Sequence, residues 1–115
     1  MHLPLRAPDA SARRLRDELA EATGSRLAVI IADSDGRADR RGATVISTGA
    51  AGIAPLRVSE APSGKRQEET FTDMITAAAG IILGQRGRGA QVVVLRGIAF
   101  QGGDEGVSAM LHHRP

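Results

Sequence analysis

The sequence predicts an α+β (mixed α/β) fold, a mixed sheet of about three to five strands with two main helices packed on it. Three observations predict it. Apolar residues recur at helical spacing in two stretches, unbroken β-branched runs lie between and after them, and no repeat or linker divides the 115 residues. Residues 1–115 are therefore read as a single domain.

Pro8-Asp9-Ala10-Ser11 opens the first helix, with Asp9 or Ser11 placed to cap it and Gly24 as its stop. Ala12, Leu15, Leu19 and Ala22 form its apolar stripe. Leu27-Ala28-Val29-Ile30-Ile31 is unbroken by polar residues and reads as a strand covered on both faces. It runs into Ala32-Asp33-Ser34-Asp35-Gly36-Arg37, which has the composition of a solvated turn. The same stretch sets carboxylate and hydroxyl oxygens, the hard donors that Mg²⁺ and Mn²⁺ take, where a buried strand would end. An EF-hand calcium loop is excluded, because Gly36 follows Asp35 directly.

Ala43 to Gly49 reads as a second strand, and Arg57 to Arg66, with Pro62, Ser63 and Gly64, as a polar loop and the most mobile stretch. A second helix is expected over Glu68 to Leu83, with Phe71, Ile75, Ala78, Ala79 and Ile82 on one side. The glycines Gly84, Gly87 and Gly89 end it; because this loop leads from helix into strand, it is neither a Walker nor a dinucleotide loop. Gln91 to Ile98 reads as a third strand, and the tail from Phe100 to Pro115 as loosely structured.

Composition narrows the function. With Phe71 and Phe100 the only aromatics, the core is aliphatic and a partner surface is expected. The absence of cysteine excludes disulfides, thiolate metal sites and cysteine nucleophiles, and agrees with a cytoplasmic home. No apolar run reaches the length of a membrane span. The net charge is +2 and the pI 10.4, with Lys65 the only lysine, so the basic groups are guanidiniums suited to oxyanions. They alternate with acids and lack stacking aromatics, which argues against a nucleic-acid partner.

Taken in order, these motifs resemble the GTP-dependent γ-glutamyl ligase family of the deazaflavin coenzyme F-420, specifically the back half of its domain. The residues that carry the likeness are Pro8-Asp9-Ala10-Ser11-Ala12, Ala32-Asp33-Ser34-Asp35-Gly36-Arg37, Gly49, Gly52 and Pro55. They continue with Asp73 and Ala77 to Ala79, Gly84-Gln85, Arg96-Gly97 and Arg114-Pro115. Departures are Ala32 for a serine, Ala38 for a proline, Met74 for a glutamate, and a shortened stretch from Arg57 to Arg66.

The resemblance implies an acid–amino-acid ligase that joins L-glutamate to a carboxylate of the coenzyme precursor while GTP becomes GDP. It implies Mg²⁺ or Mn²⁺ held by Asp33, Ser34 and Gln85; Asp73, within the second helix, reads by itself as an exposed carboxylate or as one placed behind metal ligands. Nucleotide contact falls on Gly84, Gln85, Arg86, Gly87, Arg88, Gly89, Ala90 and Gln91. It implies, finally, a homodimer or a complementing N-terminal half. Three protein ligands hold a metal weakly, so the alternative expectation is a non-catalytic remnant acting as a binding or dimerisation module.

Overall fold

A computed structural model describes residues 7–37, 40–83 and 92–111. Its elements are α1 (Pro8–Thr23), β1 (Val29–Arg37), β2 (Arg40–Ala51), β3 (Leu56–Glu60), β4 (Arg66–Thr70), α2 (Phe71–Leu83) and a short 3-10 helix, Val107–Met110. The α+β class with two helices is the class found. Among the described residues four strands form two antiparallel two-stranded sheets, β1 with β2 and β3 with β4.

Helix α1 ends as the sequence predicts, with Gly24 left-handed at φ 67 and its N–H donating to the Ala20 carbonyl at 2.8 Å. Its beginning differs, because Ala7 is the N-cap and no side chain caps it. Asp9 instead reaches out of the helix. Its Oδ1 accepts the amides of Ala50 at 2.9 Å and Val107 at 2.8 Å, and Oδ2 accepts that of Ser108 at 3.1 Å. Burial alone would push this carboxyl up. The amides of Val107, Ala50 and Ser108 outweigh it and hold Asp9 below the ordinary carboxylate value. The expected apolar stripe is also corrected: Ala12 is buried, but Leu15 and Leu19 are 44% and 45% exposed. Arg16 turns inward in their place, donating from Nη1 to Asp104 at 2.8 Å, and Asp104 in turn accepts the Gly52 amide at 2.7 Å.

The turn expected at Ala32 to Arg37 is strand. Asp33 pairs with Ile46, Ser34 with Val45, Asp35 with Thr44 and Gly36 with Ala43. Extended pairing wins because the facing run Thr44-Val45-Ile46 is β-branched and gives the backbone groups of the acidic stretch that face β2 a ladder partner. Between Ile31, paired with Gly49, and Ala32, paired with Ser47, the register shifts and leaves Thr48 as an extra residue. The Thr48 hydroxyl donates to the Ile31 carbonyl across this bulge at 3.2 Å.

The two helices cover opposite faces of the hairpin. A Cβ at Gly49 would run into the Pro8 carbonyl of α1, whereas one at Gly80 of α2 would lie 2.8 Å from the Val45 side chain. The core on the α2 side is small, with Ala50, Ile53, Phe71 and Val107 buried and Ala28, Ile30, Ile75 and Met110 packed against them.

Arg57 to Arg66, expected as a loop, is mostly the β3–β4 hairpin. Its turn is closed by Ala61 N–H to the Lys65 carbonyl and Gly64 N–H to the Ala61 carbonyl, both 2.8 Å. Directly opposed Arg57 and Glu69 pair at 2.9 Å, and the Arg57 guanidinium lies 4.8 Å from the Phe71 ring centroid. Because Glu68 to Thr70 belong to β4, α2 starts at Phe71 and not at Glu68. The Phe71 and Thr72 amides donate to the Pro55 carbonyl at 2.8 and 3.3 Å. The expected third strand is not formed within residues 92–98, which have no ladder partner among the described residues. In the tail, expected to be loose, the 3-10 helix buries Val107 against the core.

The depressed Asp9 value fixes the sign of a pH effect. This group's contribution is complete above the unfolded value, near pH 4, and is lost as pH falls through the folded value. Asp9→Ala should lower the unfolding free energy by about 2–3 kcal/mol at pH 7, since three amides lose an ionised acceptor. Thermal melts of Asp9→Ala should also show a shallower loss of stability between pH 5 and pH 3, in round figures.

Candidate functional site

Asp33 and Ser34 lie on β1 just beyond the Thr48 bulge, and bulges are a common device for re-aiming side chains beside active sites. The Asp33 side chain is exposed. Cross-strand partners share a face, so Asp33 lies with Ile46 on the side of α1, opposite the face that Ser47 turns to α2.

Helix α2 is positioned against this part of the hairpin by three contacts along its length. In its first turn, Asp73 Oδ1 accepts both the Ser47 amide at 2.8 Å and the Ser47 hydroxyl at 2.7 Å. Ser47 Oγ also lies 2.9 Å from Thr72 Oγ1, with both residues buried. Further along, Gly80 admits the Val45 side chain at a distance that a larger residue would not tolerate. Val45 is the ladder partner of Ser34, and α2 ends at Leu83, within one turn of Gly80. The C-terminal end of α2 therefore approaches the β1 stretch that carries Asp33 and Ser34. Gln85 and the rest of Gly84 to Gln91 lie outside the described residues, as do His112 and His113.

Sequence reading noticed Asp73 but missed its partner. Asp73 anchors the start of α2 to β2 through Ser47, and the available signal was a serine on the inward face of an otherwise β-branched strand. Beside this knot, Thr76 is buried and its hydroxyl has no hydrogen-bond partner among the described residues.

The donor chemistry suits a hard divalent cation, since a carboxylate and an adjacent hydroxyl are oxygen ligands of the kind Mg²⁺ and Mn²⁺ accept. Among the described residues, no group of three or more His, Cys, Asp or Glu side chains gathers for a metal. Fold and site together define an α+β domain in which a bulged hairpin with an acidic stretch on β1 lies between two helices.

The sequence pattern of the F420-0:Gamma-glutamyl ligase family matches residues 1–97, and the chain belongs to that family. Coenzyme F420:L-glutamate ligase of Methanothermobacter thermautotrophicus is 38% identical to it over 117 aligned residues, which cover 95% of this chain and 46% of that protein. The protein of the same name from Methanocaldococcus jannaschii is 38% identical over 78% of this chain and 39% of its own length. That from Archaeoglobus fulgidus is 36% identical over 87% and 43% respectively. The chain thus spans less than half the length of these relatives.

Replacing the buried Thr76 by valine keeps the side-chain shape and removes the orphaned hydroxyl. Thr76→Val should raise the unfolding free energy by about 1 kcal/mol, read as a higher denaturant midpoint at unchanged slope.

Proposed function

We propose that this chain is the metal- and nucleotide-binding part of a GTP-dependent γ-glutamyl ligase of deazaflavin coenzyme F-420 biosynthesis. The observation that carries the reading is family membership over residues 1–97, with relatives named coenzyme F420:L-glutamate ligase. In the proposed reaction the terminal phosphoryl group of GTP passes to a carboxylate oxygen of the coenzyme precursor. The amino group of L-glutamate then attacks the activated carbonyl carbon, phosphate leaves with that oxygen, and the nitrogen loses its proton. The products are amide, GDP and phosphate.

Asp33 and Ser34 of β1 are assigned to Mg²⁺ or Mn²⁺, with Gln85 joining them from the turn after α2. When bound, the ion supplies neutralisation of the charge that develops on the phosphate oxygens. Asp33 brings a full negative charge to that position, and Ser34 brings a neutral oxygen. The turn from Gly84 to Gln91 is assigned to the nucleotide, with Arg86 and Arg88 as guanidinium partners for phosphate. Asp73 keeps α2 seated through Ser47 and so sets where that turn begins. The approach of α2 to Val45, the partner of Ser34, supports this assignment.

Turnover is assigned to a complete domain, with the N-terminal half of the family present, in a homodimer in the cytoplasm. No helix among the described residues is long and apolar enough to cross a membrane.

Calorimetric titration of the full chain with Mn²⁺ and GTP tests the reading. Mn²⁺-dependent GTP binding is expected, weakened about tenfold or more in Asp33→Asn, because one ligand loses its charge while the fold is kept. Absent binding, or binding that Asp33→Asn leaves unchanged, would favour a non-catalytic binding module.

A further inference from the structure

Val92 and Val94 are 78% and 73% exposed, while Val93 and Leu95 between and after them are half-buried. That alternation is the period of a β-strand with one face covered, in a β-branched run that has no ladder partner among the described residues. Uncovered apolar surface continues nearby in the sequence, with Ile98 at 37% and Phe100 at 47%.

We infer that Val92–Ile98 is an acceptor strand for the other half of the ligase domain, which pairs a strand of its own along this edge and covers Val92 and Val94. The occupant follows from two facts. The family pattern runs to residue 97, so it spans all of this segment but Ile98. The relatives that share it are more than twice as long as the part this chain matches. An exposed valine pair on an unpaired strand needs a cover, and the additional half of the domain is the polypeptide available to supply it. The same half can reach the segment whether it is carried on one polypeptide with this chain or on another. This inference rests on the ligase reading for the identity of its partner, and it adds the surface through which the halves join.

The chain contains no cysteine, so a single introduced thiol reports on one position. Val94→Cys is made in the full chain and in a fusion carrying, ahead of Met1, the portion of the Methanothermobacter ligase that this chain does not match. Ser63→Cys, in the exposed turn between β3 and β4, serves as the control. Alkylation of Val94→Cys is expected to be fast in the chain alone and at least about tenfold slower in the fusion, with Ser63→Cys unchanged.

Equal rates for Val94→Cys in the two proteins would overturn the inference. So would a fusion whose added portion stays unfolded by circular dichroism, since a half that does not fold against this edge is not its partner. Protection in the chain alone that grows with its own concentration would overturn it in favour of a second copy. Mn²⁺ and GTP titration of the fusion reads the ligase assignment separately, so protection without nucleotide binding would remove that assignment and keep the surface.

Discussion

Everything at the N-terminal end of the hairpin depends on one carboxylate. Asp9 gathers amides from Ala50, Val107 and Ser108, which are separated from it in sequence by 41, 98 and 99 residues. Through them α1, β2 and the C-terminal 3-10 helix become one body. An ionised acceptor shared by three amides is a strong contact, and removing it strands three donors at once. The surrounding backbone is fitted to it. Gly106 is left-handed at φ 76, and a Cβ there would run into the Asp9 carboxylate; a Cβ at Gly49 would meet Pro8. An aliphatic core with Phe71 as its one buried aromatic has little area to hold distant segments together, so polar knots of this kind carry more of the tertiary specification.

Ser47 forms the second knot, towards α2. Asp73 takes its amide and its hydroxyl, and together with Gly80 against Val45 this lays α2 along β2. The extra residue Thr48 lies between the two knots and reverses which face each following residue of β2 presents. Because of that insertion Ser47 and Gly49, two positions apart, lie on opposite faces, the one against α2 and the other against α1.

Much of this was legible in the sequence, and the failures have definite causes. Helix α1 was readable because Pro8 and Gly24 punctuate an apolar period. Its buried face was not, because Arg16 displaced the leucines by pairing with Asp104, a residue 88 positions away that no local pattern announces. Asp33-Ser34-Asp35-Gly36 read as a turn from its composition, and the β-branched Thr44-Val45-Ile46 opposite it imposed a strand. The β3–β4 hairpin was hidden by its polarity, since it is held by paired charges such as Arg57 with Glu69 rather than by alternating apolar residues. Val92 to Ile98 has the composition of a strand and lacks a ladder partner among the described residues. The family was legible from the order of short motifs, none of which identifies it alone.

The central claim is that the acidic part of β1 and the turn following α2 serve one cation. Paramagnetic broadening of backbone amide signals by trace Mn²⁺ tests it directly, because broadening reports distance to the ion even when binding is weak. The account predicts that the amides of Asp33, Ser34 and Gln85 broaden together, at the same Mn²⁺ concentration and ahead of the rest of the chain. Broadening at Asp33 with Gln85 untouched, or broadening centred on His112 and His113, would contradict it.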